Sequence, residues 1–452
     1  MTHIELTGAP LSIETINQVA YANSESIQLT LAPECQKKIL KARKYVDEII
    51  QSNKVVYGIN TGFGALASTS IPKDQLTELQ YNLIRSHCTG VGEAFSNPIV
   101  RTIMLLRAHC LTQGFSGVSL EAIERLIDFI NFDITPVVPC KGSVGASGDL
   151  APLSHIALCL IGEGEVFYQG QKISSLEALN KINKKPVILQ AKDGLGLING
   201  TAVMSALGSI AAHRAQYLLN LADVISALTL EAVRGTAQAF HPLIHSLKPH
   251  VGQIQVAQRL TSFLQGSEII TSHSDCDRVQ DPYSLRCIPQ VHGACRQTLE
   301  HMHTVLNVEN NAVTDNPLVF VDEDKVISGG NFHGEAIAMS MDYLAIGMAE
   351  LCNISERRIE KLMNKEFSNL PPFLTKNSGL HSGLMIAQVT AAALTSENKV
   401  LAHPSSVDSI PTSTDKEDHV SMGVMSGRKL LEILENTQYC LAIEILCAYQ
   451  GI

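Results

Sequence analysis

Tryptophan is absent from the 452 residues, and aromatic side chains make up only 5% of them. The missing indole removes one common ring for stacking on bases or cations. Charge is also scarce: Asp, Glu, Lys and Arg together account for 17%. It leans acidic, with 44 Asp+Glu against 34 Lys+Arg, a net of −10. That balance argues against nucleic acid and anionic membrane as partners, because both select basic surface. No run of about 18 uncharged apolar residues occurs, so no membrane-crossing segment is expected. The start, MTHIELTGAPLSIETINQVA, has no basic stretch leading into an apolar run, so a secretory leader is not expected. The eleven cysteines are odd in number and include no CxxC pair. Reduced thiols in a cytoplasmic protein are the expectation.

What is present is apolar bulk, 45% of the chain, enough for two to four domains' worth of core or for buried subunit faces. Helical spacing dominates. Pro33–Ser52 opens on a proline and repeats Ile39, Val46 and Ile49. Residues 73–87 repeat Leu76, Leu79 and Leu83, and 98–113 and 119–131 read the same way. Three longer stretches carry no proline: Thr201–Phe240, Phe332–Leu370 and Asp418–Ile452. They exceed the usual 8–20 residues of a globular helix and predict a bundle of long, partly broken helices. Gly208, Gly235, Gly334 and Gly347 read as close-packing or kink points within them. Strand signals are few, at Val55–Tyr57, Glu165–Tyr168 and Leu318–Val321. The expected fold is mainly α. A smaller loop-rich N-terminal domain over 1–200 precedes a long-helix bundle over 201–452. Polar loops are expected at 57–72, 134–148, 271–290 and 402–418.

One loop holds unusual chemistry. Residues 141–155 read KGSVGASGDLAPLSH, and Asp149 is placed to N-cap a helix from Leu150. No Gly-Lys-Ser/Thr follows, so this is not a P-loop. Asp149 stands where a nucleophile elbow needs its second glycine. The run Gly194-x-Gly196 also misses the dinucleotide pattern, since Gly200 comes one place late. Ala146-Ser147-Gly148 permits a rarer reaction. The Gly148 amide can attack the Ala146 carbonyl and close a five-membered ring, because glycine bears no side chain and reaches strained dihedrals. Loss of two waters, one from the Ser147 hydroxyl, leaves an exocyclic methylidene. That is an electrophile which no ordinary side chain supplies. The following helix N-terminus adds positive potential.

The sequence around this triplet resembles the aromatic amino acid lyases that carry 4-methylidene-imidazol-5-one. Further matches follow in order: YGINTGFG (57–64), LQYNLIRSHCTGVGE (79–93), GLINGT (196–201), QDPYSLRCIPQ (280–290), TDNPL (314–318), SGGNFHGE (328–335) and SVDSIPTS…EDHVSM (406–422). The resemblance implies a prosthetic group made autocatalytically from Ala146, Ser147 and Gly148, with no metal required. It also implies non-oxidative removal of an amine, with a positioned base taking a β-proton.

The same resemblance implies roles residue by residue. Tyr57 matches the catalytic tyrosine, whose pKa is expected well below about 10 under helix N-termini and cations. The Gly58–Gly64 loop reads as a mobile cover. Arg286 is implied as the carboxylate clamp, where a planar fork suits the geometry. Tyr283 is implied at the reacting centre, on one face of a short helix N-capped by Asp281. Asn199 is implied to bond the carboxylate or the prosthetic group, Gln280 and Phe332 to line the site, and Asp149 to assist dehydration. Ser86-His87 is the selectivity pair of members acting on histidine, and Glu417 and Met385 match the same branch. His87 would then partner the substrate imidazole. L-Histidine is the expected substrate and trans-urocanate with ammonia the expected products. A homotetramer is implied, with active sites shared between chains: Tyr57, Ser147 and Asn199 from one, Tyr283 and Arg286 from a second, Glu417 from a third.

Two departures stand out. Asp415-Lys416 replaces the usual Asn-Gln before Glu417, so Lys416 is expected to pair with Asp415 or perturb Glu417. Family chains also continue some tens of residues past Ile452, so this sequence reads as truncated relative to them. The alternatives are a same-family lyase or aminomutase on another aromatic acid, or an inactive helical homologue serving assembly. Metal binding is not expected. His301 and His303 fall on different helix faces, and His241, His245 and His250 have no Cys or carboxylate close by.

Overall fold

A computed structural model describes residues 1–52, 54–273 and 278–452. Residues 274–277 of the loop expected at 271–290 therefore lie outside the described residues. The protein is mainly α, as its periodicity predicts. The three proline-free stretches become helices Ala202–Ala232, Glu335–Met363 and Gly423–Gly451, joined by Ile288–Glu309. Sheet is confined to small pieces. Glu165–Tyr168 pairs antiparallel with Gln171–Ser174 across the expected turn, and Leu318–Phe320 pairs with Lys325–Ile327. Val55–Tyr57 is not a strand; Asn60 turns the chain there, its side chain bonding the Val56 amide and the Lys54 carbonyl. A parallel pair not expected from the sequence, Thr2–Leu6 with Ile27–Leu31, brackets the helix Ile13–Tyr21.

The chain divides into two compact units. The first comprises Met1–Ile210, Thr304–Met339 and Ser405–Gly427; the second comprises Ala211–His303, Ser340–Pro404 and Arg428–Ile452. The first cut falls near the expected boundary at 200, but two later segments return to the first unit. Each of the four long helices thus supplies residues to both.

The first unit is organised by Asn97–Thr112, a helix buried on nearly every side. It holds two buried arginines, and both donate to backbone carbonyls. Arg101 donates to the Ile130 carbonyl and to Asp133, and Arg107 donates to the carbonyls of Gly196 and Asn199. A further buried cation, Lys192, pairs with Asp315 at 2.7 Å. Such charges are tolerated only when paired or hydrogen-bonded, and here Arg107 fastens the backbone around Asn199.

The second unit is built around one apolar cluster that includes Leu230, Leu260, Ile359, Leu362 and Cys447. A buried polar chain runs beside it. Asp223 accepts from His292 Nδ1 (2.8 Å), Arg296 (2.5 Å) and Arg259 (2.8 Å). Burial alone would raise the Asp223 pKa, but these donors outweigh it and hold the carboxyl below its usual range. His292 Nε2 meets Arg358, whose guanidinium grips Glu444 at 2.5 and 2.9 Å. Thr229 and Ser355 complete the Glu444 shell. Gly347 packs against Thr298 so closely that a Cβ would lie 2.3 Å from its Oγ1, so this glycine is a close-packing point as expected.

Helix Glu335–Met363 is long and apolar enough to cross a membrane, but 67% of its most apolar window is buried inside the fold. The ten described cysteines are unpaired.

Arg358→Met should destabilise the protein by about 3–5 kcal/mol, because it strands the Glu444 carboxylate without its cation. Urea denaturation of the variant beside the parent protein measures this, and a loss below 1 kcal/mol would contradict it.

Candidate active site

The first unit contains a cavity of about 640 Å³. Its lining brings together Tyr57, His87, Ala146, Ser147, Asn199, Phe332 and Glu417, seven of the residues singled out from sequence. Gln280, Tyr283, Arg286 and Met385 belong to the second unit and are not among the lining residues. Tyr283 is 69% exposed. Its helix, Tyr283–Arg286, starts one residue later than expected. Pro282 takes the cap position, while Asp281 accepts from the Thr236 amide at 2.7 Å and meets Arg278. The Arg286 guanidinium lies over the Tyr283 ring, 4.4 Å from its centroid.

The Ala-Ser-Gly segment is tightly wound. Gly145, Ser147 and Gly148 all have positive φ, at 83°, 51° and 79°. For a serine this is an uncommon, strained conformation. A Cβ on Gly148 would stand 2.2 Å from the Gly200 carbonyl oxygen, so only glycine fits. Gly200 brackets the segment from both sides: its amide donates to the Ser147 carbonyl (3.3 Å) and its carbonyl accepts from the Asp149 amide (2.8 Å). Asn199 Nδ2 also donates to the Ser147 carbonyl, at 3.2 Å, while Asn199 Oδ1 is buried without a partner. Two donors thus converge on the Ser147 carbonyl.

Asp149 sits at the cap position of helix Leu150–Leu160 but makes no side-chain bond to it. Its Oδ2 instead accepts from the amides of Val203 (2.8 Å) and Met204 (3.0 Å), capping the next long helix. Complete burial pushes this carboxyl up to about 7, against the pull of those two amides.

Glu417 lies within this same chain's cavity, which corrects the expectation that it comes from a third chain. The Ser147 hydroxyl donates to its Oε1 at 3.3 Å. Thr412 donates to Oε2 at 2.8 Å, and Thr412 and Glu417 exchange backbone hydrogen bonds across a turn. That turn carries three successive left-handed residues, Ser413, Thr414 and Asp415. Lys416 lines the cavity and forms no ion pair with Asp415 among the described residues.

His87 ends helix Leu76–His87. Its Nδ1 lies 2.8 Å from the Leu83 carbonyl and 3.0 Å from the Ser86 hydroxyl. A carbonyl can only accept, so Nδ1 carries the proton and Nε2 keeps its lone pair. Burial holds the His87 pKa below its usual value, which favours the neutral ring. Tyr57 departs from expectation. Burial raises its phenol above the ordinary value, and the nearby Glu417 charge adds to this, with only the Gly64 backbone pulling the other way. The cations expected to lower it are absent from the cavity lining apart from Lys416.

Sequence reasoning missed Arg107, Thr412, Asn316 and His419. Arg107 had a signal, a charged residue inside an otherwise apolar helical run. Thr412 had none, since its role depends on a turn that periodicity does not show.

The chain matches the model of the aromatic amino acid lyases over residues 11–452. It is 50% identical to a histidine ammonia-lyase of Caldanaerobacter subterraneus subsp. tengcongensis, across all of this chain and 88% of that one. Among solved structures, histidine ammonia-lyase from Trypanosoma cruzi superposes with a TM-score of 0.91 at 45% identity, covering 100% of this chain and 84% of that one. Tyrosine aminomutase from Streptomyces globisporus matches with a TM-score of 0.92 at 37% identity, over 100% and 88%.

A buried acid with a raised pKa stabilises the fold fully below its unfolded value, near 3.8, and loses that contribution as pH rises through about 7. Asp149→Asn should therefore flatten the decline in stability between pH 4 and 7. Denaturation midpoints at pH 4.5 and 7.5 test this, and an unchanged slope would contradict it.

Proposed function

The chain belongs to the aromatic amino acid lyase family, and from that premise we propose that its cavity deaminates L-histidine to trans-urocanate and ammonia. The carrying observation is the convergence of Ala146-Ser147, Tyr57, His87 and Glu417 on one cavity. His87 offers an Nε2 lone pair, the group that a substrate imidazole N–H would seek, and Glu417 offers a carboxylate to the same ring. A phenyl ring would leave both groups unsatisfied and a phenol could satisfy only one of them, at a cost of about 1–3 kcal/mol for each left unpaired.

The Ala146-Ser147-Gly148 segment fits the 4-methylidene-imidazol-5-one group of this family. It is already wound by positive φ, glycine is obligatory at 148, and the unpartnered Asn199 Oδ1 awaits a donor. When formed, the group supplies the electrophile that makes the substrate amine a leaving group. Asn199 Nδ2 and the Gly200 amide polarise the Ser147 carbonyl, the atom joined to the Gly148 nitrogen. Glu417, held by Thr412, accepts a hydrogen bond from the Ser147 hydroxyl and so orients the group that must leave as water. The Tyr57 oxygen takes the β-proton, and Phe63 and Ala67 from the following loop help close the cavity to water.

Tyr57 needs a nearby cation or helix N-terminus to become a base near neutral pH. We assign Arg286 as carboxylate clamp and Tyr283 at the reacting centre, both reaching the cavity from a second copy of the chain in a homotetramer. Gln280, Phe332 and Met385 would line the completed site. A cytoplasmic location accords with ten unpaired described thiols.

Adding L-histidine should give a rising ultraviolet absorbance from the conjugated product, with little rise from L-tyrosine or L-phenylalanine. Ser147→Ala should abolish that rise while leaving the fold intact, and the parent protein should weigh two waters less than its sequence. No rise with L-histidine would overturn the assignment.

Tyr57→Phe should lower kcat by about 10²–10⁴, the usual contribution of a positioned base. A phenol must lose its proton to act, so the parent rate rises with pH, and this limb should vanish in the variant. A pH–rate profile retaining the limb would assign the base elsewhere.

A further inference from the structure

Beside the cavity lies a cluster to which no role has yet been given. His333 and Glu335 straddle the start of helix Glu335–Met363, and His419 follows two residues after Glu417. One ligand-type atom from each falls within 4.8 Å of the other two. The imidazoles of His333 and His419 stack with centroids 5.8 Å apart and planes 8° from parallel. His419 Nε2 stands 4.0 Å from Glu335 Oε2. That oxygen is buried and has no hydrogen-bond partner, a costly state unless something cationic meets it. His333 Nε2 lies 3.3 Å from the His419 carbonyl and donates to it, which leaves Nδ1 as the acceptor of that ring.

We infer that His333, Glu335 and His419 form a binding site for a divalent cation of the zinc class at the edge of the substrate cavity. Two imidazoles and a carboxylate suit Zn²⁺, Co²⁺ or Ni²⁺, whereas Mg²⁺ and Ca²⁺ prefer all-oxygen shells. Bonds of about 2.1 Å at the tetrahedral angle put ligand atoms roughly 3.4 Å apart. The donors must therefore close by about 1.4 Å from their 4.8 Å limit. The His419 side chain, 70% exposed, has the freedom to swing that far. Three protein ligands leave a fourth position open. His333 and His419 both line the cavity, so the ion would tie the segment bearing Glu417 to the start of the helix Glu335–Met363. The site requires neither the electrophile nor turnover.

Chelator-treated full-length protein should be titrated with ZnCl₂ by calorimetry and with CoCl₂ by visible spectroscopy. One ion per chain is expected, with d–d absorption bands of a nitrogen- and oxygen-bound Co²⁺. His419→Ala and Glu335→Gln should each weaken affinity by more than the roughly 10–100-fold that loss of an outer partner costs. His301→Ala, whose ring packs edge-on against Tyr343, serves as a control and should bind normally. Absence of stoichiometric uptake, or uptake unchanged in both ligand variants, would overturn the site. Because binding is read directly, an inactive protein that still takes up the ion would count against the lyase reading alone.

Discussion

Everything at the active site hangs on the backbone of one residue, Gly200. Its amide and carbonyl clasp the strained segment at Ser147 and Asp149, and no side chain fits there, since a Cβ would come 2.3 Å from the Thr314 carbonyl oxygen. Gly200 is held in turn by a buried guanidinium. Arg107 binds the carbonyls of Gly196 and Asn199, so a cation in the most buried helix of the unit aims the loop that aims the serine. The low dielectric that makes Arg107 expensive also strengthens these hydrogen bonds. A rigid frame of this kind lets three small residues hold an unfavourable conformation without unwinding.

Charge placement follows the same logic. Asp149 does not cap the helix it precedes; it caps the long helix beginning at Ala202. The Ala-Ser-Gly segment is thereby tied to the start of that helix through one carboxylate. Glu417 is likewise presented by a turn of three left-handed residues and a threonine hydroxyl. Neither acid owes its position to a regular element of its own, which is why each depends on named partners.

Much of this was legible in the residues. Proline-free runs marked the long helices, because a helix interior cannot spare the amide that proline lacks. The Ala-Ser-Gly triplet and the Ser86-His87 pair pointed to chemistry and substrate. What the sequence could not show depended on distance in space. The Asp149 carboxylate chose amides more than fifty residues away over those beside it. Glu417 reached the cavity of its own chain by a turn with no periodic signature. Val55–Tyr57 failed as a strand because Asn60 captured its backbone. The Tyr57 pKa went up because burial outweighs the groups around it.

The interrupted make-up of the first unit has a consequence for synthesis. Its last segment is Ser405–Gly427, which brings Thr412 and Glu417 to a loop made more than 250 residues earlier. A growing polypeptide therefore displays Ser147 long before its acid neighbour leaves the ribosome. The late return adds contacts of high sequence separation, the slowest kind to form.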